Sequence, residues 1–289
     1  AARKKEVRDR FDQRFASTAK QFTSAAILKC QERGELELDD PLVKFFPGAP
    51  GDKRAITVRQ LLAHVSGFEQ SYVSEGVADR KTAVDRMLRE KLVDAPGKKF
   101  HYSNSNYQLA VAVVEVASAR PYRRFVREEL WGPAGLRDTG FAGEPGAARV
   151  APSRGDVPPR LQRVTWGGEG VFSTARDLLT WYRALRSGLI LSPPSVRELF
   201  TPVAPIGEGQ AAFGWFVGRT DSGWTRVFTR GNEDFGANSL FYAYPDSDAV
   251  IIVLTHAGDA PDETSWSRFV HAKLEALLLT PAKAAAGEP

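Results

Sequence analysis

Hydrophobic and polar positions change their period along the chain, which divides it into a helical part and a strand-rich part. Apolar residues recur at helical spacing in windows that predict helices over 17–33, 80–92, 105–119, 121–131 and 173–187. Four later windows carry β-branched and aromatic residues between Gly, Asp and Pro, and they predict antiparallel strands over 211–219, 224–230, 237–244 and 249–255. Helices followed by strands favour an α+β fold over alternating β and α units.

Capping and turn residues set the limits of the shorter elements. Thr57 is a candidate N-cap for a short helix over 58–64. The stretch 141–160 is rich in Gly, Pro and Ala, and predicts a long surface loop. The tail at 280–289 has a similar composition and is expected to fray.

No internal repeat or low-complexity linker divides the sequence, so we expect a single domain over 1–289. Its mostly helical part is expected at about 35–185 and its antiparallel strands at about 205–258. An amphipathic helix over 264–279 is expected to complete it.

Composition and charge are those of a folded globular chain. The 289 residues are 43% hydrophobic and 26% charged, which excludes a disordered or collagen-like chain. The net charge is +4, and residues 1–20 account for all of it, with seven basic and three acidic side chains. A neutral remainder argues against a nucleic-acid partner. No apolar run approaches a membrane span, and no signal-peptide pattern opens the sequence, so a cytoplasmic and a processed, exported chain both remain open.

Several chemistries lack their sequence elements. The only cysteine, Cys30, excludes an intramolecular disulfide and a CxxC site. The four histidines are scattered and form no HExxH element, and no phosphate-binding GxxxxGK[ST] loop occurs. A GxSxG nucleophile elbow is also missing.

Ser17 and Lys20 form an SxxK element at the start of the first predicted helix. Residues three apart share a helix face, so the hydroxyl and the amine can meet. A serine at a helix N-terminus also lies among free backbone N–H groups, which can stabilise an oxyanion. A chance match is the alternative, although Ser17 is the only serine with a lysine three residues on.

Tyr102 and Asn104 form a YxN element after a Pro-Gly turn. A phenol beside an ammonium can transfer protons, and an amide can orient a lysine or a substrate carbonyl. A turn with a packed tyrosine explains the same residues, so the element points to chemistry only in combination with the SxxK element.

Six ordered blocks carry a wider resemblance. One block is FASTAK around Ser17, another is ITVRQLLAHVSG at 56–67, and a third is FHYSN around Tyr102. The six blocks occupy residues 15–20, 32–41, 56–67, 100–104, 133–141 and 168–178. Together they resemble the serine β-lactamase and penicillin-binding-protein superfamily. More narrowly, they are similar to its class C β-lactamase-like serine hydrolases, which include esterases and D-amino-acid peptidases. The resemblance implies a β-lactamase/transpeptidase-like α+β fold, with an antiparallel sheet flanked by helices and an all-helical region.

The resemblance also implies a role for each matching residue. Ser17 would be the nucleophile that forms an acyl-enzyme. Either Lys20 or Tyr102 would be the general base, and Tyr102 would protonate the leaving group and later activate water. Asn104 would hold Lys20 or the substrate. The Ser17 N–H and a strand N–H near residues 232–233 would form the oxyanion hole. No metal or organic cofactor is implied.

The third family element departs from the family pattern. A Lys or His followed by x-Gly is expected on an inner strand, and TRGN at 229–232 stands in its place. Spacing to the next glycine aligns Arg230 with the cationic position, and a shift of one residue would align Thr229. We expect Arg230, Gly231 and Asn232 to bind substrate, because an arginine fork can hold a carboxylate. Asn232 stands where glycine is usual and is expected to crowd the strand.

Family members have a helix and two strands before the nucleophile element, whereas sixteen residues precede Ser17. We therefore expect N-terminal strands to be missing from this sequence. Two functions remain open. The first is a serine hydrolase acting on small ester, amide or D-amino-acid peptide substrates. The second is a catalytically impaired binding or regulatory protein on the same fold. A true β-lactamase or D,D-peptidase is the weaker hydrolase candidate, because the third element lacks Lys-Thr-Gly.

Overall fold

The structure is a computed structural model that describes residues 13–14, 16–74, 76–77, 79–141, 170–232, 238–255 and 266–279. Most of the predicted loop at 141–160 lies outside the described residues, as do the tail at 280–289 and residue 233. None of the described helices is both long enough and apolar enough to cross a membrane.

The predicted helices are confirmed, with changed ends. The described α-helices are α1 (Lys20–Glu32), α2 (Leu42–Phe45), α3 (Val58–Leu62), α4 (Arg80–Leu88), α5 (Asn104–Ser118), α6 (Tyr122–Val126), α7 (Gly132–Ala134), α8 (Ala175–Arg186), α9 (Pro193–Leu199) and α10 (Trp266–Leu278). A 3₁₀ turn at Ala16–Ala19 precedes α1, and a π-helical turn at Arg127–Trp131 follows α6. The predicted cap is confirmed as well, since the Thr57 side chain accepts from the backbone N–H of Gln60 in a capping box.

The strands form one main antiparallel sheet and one small one. The described strands are β1 (Gln13–Arg14), β2 (Gly140–Phe141), β3 (Val171–Ser173), β4 (Ala204–Ile206), β5 (Gly209–Ala211), β6 (Phe216–Arg219), β7 (Thr225–Asn232), β8 (Asn238–Tyr244) and β9 (Ala249–Thr255). Within the described ranges, the main sheet has the order β4-β5-β6-β7-β8-β9 and the small one β1-β3-β2. The predicted single strand over 211–219 was wrong, because Gly214 adopts φ +73° and breaks it into β5 and β6.

Alternation along the strands gives the main sheet two different faces. Val227 on β7 and Phe241 on β8 belong to the central core, which also contains the buried face of α1. Phe228 and Tyr242 point to the other face, where they stack with ring centroids 4.9 Å apart. We call the first side the inner face and the second the outer face. Helix α10 covers part of the outer face, where His271 contacts Tyr242 with ring centroids 3.8 Å apart.

Candidate active site

Three elements of the fold meet at Ser17. The 3₁₀ turn that carries Ser17 leads directly into α1, so Lys20 is the first residue of that helix. Tyr102 precedes α5 by two residues, and Asn104 is the first residue of α5. Helix α5 packs against α1, which places the YxN element beside the SxxK element. We call Ser17, Lys20, Tyr102 and Asn104 the Ser17 cluster.

Hydrogen bonds connect every member of the Ser17 cluster. Lys20 Nζ donates to Ser17 Oγ at 3.0 Å and to Asn104 Oδ1 at 2.9 Å. The Tyr102 hydroxyl donates to Ser17 Oγ. The serine oxygen thus contacts the Lys20 amine and the Tyr102 phenol at once, so a proton can pass between Ser17 and either group.

The Lys20 side chain is enclosed by aromatic rings. It is 2% exposed, and its Nζ lies 5.0 Å from the centroid of the Tyr102 ring and 5.6 Å from that of the Tyr107 ring. Burial raises the pKa of Tyr107, so this phenol stays protonated. Its hydroxyl donates to the backbone oxygen of Leu62 at 2.8 Å and therefore accepts from Ser24 Oγ at 3.1 Å.

His64 lies behind Tyr102. Its ring is buried and stacks on the Tyr102 ring. Its Nδ1 accepts from the backbone N–H of Ser103 at 3.1 Å and lies 3.2 Å from Nδ2 of Asn106. A backbone N–H can only donate, so the ring proton of neutral His64 is on Nε2. Desolvation, and next the charge of Lys20, lower the pKa of His64 well below its usual value.

Two further residues position the cluster without an obvious sequence signal. The side chain of Gln70 accepts from the backbone N–H of Asn104 at 2.8 Å, which satisfies a free donor at the start of α5. Gly214 approaches α1 closely, since a Cβ there would lie 2.8 Å from Ser24 Oγ and 2.9 Å from Lys20 O. This wall of the cleft, which includes Ala212 and Trp215, can therefore approach α1 closely because residue 214 is glycine.

The third element lies across the cleft from Ser17, on β7. Thr229 is 2% exposed and points to the inner face, opposite Phe241 of β8. The Arg230 guanidinium instead forms an ion pair with Glu208 and lies 5.4 Å from the centroid of the Phe228 ring. Gly231 and Asn232 form the end of β7. The side chain of Asn232 is outside the described part, so its predicted crowding stays a prediction.

An open cleft of about 270 Å³ lies beside Ser17. It is lined by Ser17, Lys20, His64, Tyr102, Ala212, Gly214, Trp215, Phe216, Thr229 and Arg230. We call it the Ser17 cleft. In the part of the chain that the structure describes, no three His, Cys, Asp or Glu side chains are placed to hold a metal ion. Ser17, Lys20 and Tyr102 bring a hydroxyl, an amine and a phenol to the cleft.

A protein-family model and several curated proteins are similar to this chain. The family model described as Beta-lactamase matches residues 2–275. Penicillin-binding protein 4* of Bacillus subtilis is 26% identical over 279 residues, covering 84% of this chain and 60% of that protein. The D-alanyl-D-alanine-carboxypeptidase/endopeptidase AmpH of Escherichia coli K12 is 30% identical over 184 residues, covering 58% of this chain and 47% of the other. The chain thus spans about half the length of the curated relatives it matches.

Solved structures show the same fold. A penicillin-binding protein from Bacillus halodurans superposes with a TM-score of 0.80 at 23% identity, over 93% of this chain and 86% of that one. A D-amino acid amidase from Ochrobactrum anthropi SV3, complexed with L-phenylalanine, gives a TM-score of 0.78 at 22% identity, over 93% and 83% of the two chains. At this identity the likeness concerns the fold, and it confirms the β-lactamase/transpeptidase-like α+β architecture.

Proposed function

Since the chain belongs to the Beta-lactamase family of serine hydrolases, we propose that it hydrolyses small esters and D-amino-acid amides or peptides through an acyl-enzyme on Ser17. The observation that carries the proposal is the double contact at Ser17 Oγ, which accepts from Lys20 Nζ and from the Tyr102 hydroxyl. A serine in that setting can pass its proton directly to either neighbour once that neighbour has lost its own.

The geometry supports a two-step reaction. Ser17 Oγ attacks the acyl carbon while its proton moves to Lys20 Nζ or to the Tyr102 oxygen, whichever is deprotonated. The tetrahedral oxyanion is held by the Ser17 N–H and by a backbone N–H near the end of β7. Tyr102 then donates a proton to the leaving group, and an ester or amide bond breaks. In the second step Tyr102 takes a proton from a water molecule as the water oxygen attacks the acyl carbon. The bond to Ser17 then breaks, and Ser17 Oγ regains a proton from the group that took it in the first step.

Asn104 supports the reaction by fixing the amine. Its Oδ1 accepts from Lys20 Nζ at 2.9 Å, and Gln70 holds the backbone of the same residue. The amine therefore keeps one donor on Asn104 and another on Ser17. Such fixed geometry lowers the entropic cost of reaching the transition state.

The substrate class rests on the relatives. AmpH is described as a D-alanyl-D-alanine-carboxypeptidase/endopeptidase, and the Ochrobactrum protein as a D-amino acid amidase. Both names denote cleavage of a bond next to a D-amino acid. An ester is a more reactive acyl donor than an amide, so ester hydrolysis is expected on the same machinery.

The test measures hydrolysis of p-nitrophenyl butyrate, of a D-amino-acid amide and its L-enantiomer, and of a penicillin. Wild-type protein is expected to cleave the ester and to prefer the D-amide over the L-amide. Ser17→Ala should lower each rate by about 10³-fold or more. Ser247→Ala removes an exposed serine of the β8–β9 turn, and it serves as the matched control with unchanged rates. Turnover that persists in Ser17→Ala would contradict the proposal, and ligand binding without turnover would favour the binding-protein hypothesis.

A further inference from the structure

The basic side chains that line the Ser17 cleft differ in their charge and in their interaction partners. Among the described residues, Lys20, His64 and Arg230 line the cleft. Lys20 is hydrogen-bonded to the Ser17 cluster, and His64 is a buried neutral ring. Arg230 is therefore the one described cation of the cleft that takes no part in the Ser17 cluster.

Arg230 is held by a small charged group on the outer face of the sheet. Glu208, in the turn between β4 and β5, forms an ion pair with Arg230 through Oε1. Its Oε2 lies 3.9 Å from Nη2 of Arg226, which also donates to the Glu208 backbone oxygen at 3.3 Å. Both guanidinium groups lie over the ring of Phe228, at 5.2 and 5.4 Å from its centroid. One carboxylate thus pairs with two arginines that strand alternation places on the outer face.

Arg230 borders two spaces at once. Besides the Ser17 cleft, it lines a groove of about 1010 Å³ between the outer face and α10, together with Glu208, Arg226, His271 and Glu275. We call this the charged groove. The neighbouring inward-facing residue, Thr229, carries no charge. Among the described residues of this wall, Arg230 is the cation, and its ion pair with Glu208 holds the guanidinium toward the charged groove.

We propose that Glu208 sets the charge preference of the Ser17 cleft by retaining Arg230 in the charged groove, so that the site accepts neutral ester and amide substrates and discriminates against those with a carboxylate near the scissile bond. The proposal rests on the hydrolase function proposed above and names the substrate class of that site. It follows from the pairing, because an arginine fork bound to one carboxylate has fewer donors left for another. Glu208 and Arg230 are specificity-determining residues in this account, and neither touches the reacting atoms.

The test compares matched substrates that differ only in a carboxylate. One pair is p-nitrophenyl butyrate and p-nitrophenyl hemisuccinate, and the other is a D-amino-acid peptide with a free C-terminal carboxylate and the same peptide amidated. Wild-type protein is expected to show a kcat/KM at least about tenfold higher for the neutral member. Glu208→Gln releases Arg230, and it should narrow that ratio about tenfold in at least one pair by raising the rate of the anionic member.

Two further variants test whether the effect of Glu208→Gln depends on Arg230 and on this particular carboxylate. The double variant Glu208→Gln/Arg230→Met should restore the wild-type ratio, because the released cation is gone. Asp221→Asn neutralises an exposed carboxylate that also borders the charged groove, and it should leave the ratio within about twofold. Thermal melting of each variant checks that it is folded.

The outcomes separate this proposal from the function on which it rests. Turnover that depends on Ser17, with a charge preference that Glu208→Gln leaves unchanged in both pairs, would overturn the role of Glu208 and keep the hydrolase function. A gain for the anionic member that survives in the double variant would also overturn it, since Arg230 would not be its source. Absence of Ser17-dependent turnover would overturn both proposals together.

Discussion

The imidazole of His64 stacks on the phenol ring of Tyr102, with centroids 4.5 Å apart and planes inclined by 26°. His64 reaches this position from a left-handed backbone conformation, φ +56°, which is uncommon outside glycine. The backbone N–H of Ser103, next to Tyr102, donates to the same ring. One histidine therefore fixes both the ring of Tyr102 and the backbone that carries it.

The stability of the protein should depend on pH through His64. Burial favours the neutral ring, so the folded-state pKa lies below the usual 6.5, and the unfolded chain binds more protons in acid. The contribution of His64 to stability is complete above about pH 6.5 and is lost as the pH falls below that value, by up to about 1.4 kcal/mol per pH unit. Urea unfolding between pH 5 and 8 measures the slope.

His64→Asn is the variant that checks this origin, because asparagine tolerates the left-handed conformation. In this variant the unfolding free energy should depend less steeply on pH in acid, by up to about 1.4 kcal/mol per pH unit, which corresponds to one bound proton. A remaining slope is expected, since desolvation also lowers the pKa of His271. An identical slope in wild type and variant would show that His64 does not titrate in this way.

Tyr102→Phe should separate the catalytic role of the hydroxyl from the packing role of the ring. The phenyl ring keeps the stack on His64, while the hydroxyl that donates to Ser17 Oγ is lost. We expect kcat/KM for p-nitrophenyl butyrate to fall by about 10²–10⁴-fold, with little change in melting temperature. Stopped-flow measurement of the acylation burst locates the loss. Wild-type rates of both acylation and deacylation in this variant would remove Tyr102 from the proton path.

Asn104→Ala should release the amine of Lys20 from its second anchor. The lost hydrogen bond leaves Lys20 Nζ with Ser17 as its remaining cluster partner. We expect kcat to fall about tenfold to a hundredfold, and the free energy of unfolding to fall by about 1–2 kcal/mol. Steady-state kinetics with urea unfolding tests both effects. A change in KM at constant kcat would instead place Asn104 in substrate binding.

Gly214→Ala should disturb the wall of the cleft against α1. The new methyl group would meet Ser24 Oγ at 2.8 Å, at a φ of +73° that alanine disfavours. Unfolding free energy should fall by about 2–4 kcal/mol. Gly223→Ala provides the control, because its φ is +87° and no atom lies within 4 Å of the added carbon. It should cost about 1 kcal/mol from the backbone alone, and equal losses in the two variants would contradict the close approach.

Local sequence signals were enough to predict that the side chains of the Ser17 cluster lie close together. The serine and lysine are three residues apart on one helical segment, and the YxN element leads into α5, so their proximity does not depend on the exact element limits. Their catalytic roles stay predictions. The fold class followed from the change of hydrophobic period. The exact helix ends could not be predicted from that period. The 3₁₀ turn before α1, for example, packs against β7, and its own four residues do not specify it.

The sequence located the third element at 229–232, but the directions of its side chains could not be predicted, because they depend on strand register. Whether Thr229 or Arg230 points inward is decided by the pairing of β7 with β8, where Thr229 lies opposite Phe241. The partner of Arg230 comes from the hairpin of β4 and β5, whose strands have three residues each and carry Gly and Pro. Such short strands leave no hydrophobic period to detect.

Formation of a covalent acyl-enzyme on Ser17 can be measured by intact-mass spectrometry after exposure to a fluorophosphonate, an activated ester and a penicillin. We predict one adduct per chain with at least one of these reagents, and peptide mapping should place it on Ser17. Ser17→Ala should acquire no adduct, and Ser247→Ala should be labelled as wild type is. An unmodified folded protein with all three reagents, or an adduct that persists in Ser17→Ala, would contradict the account.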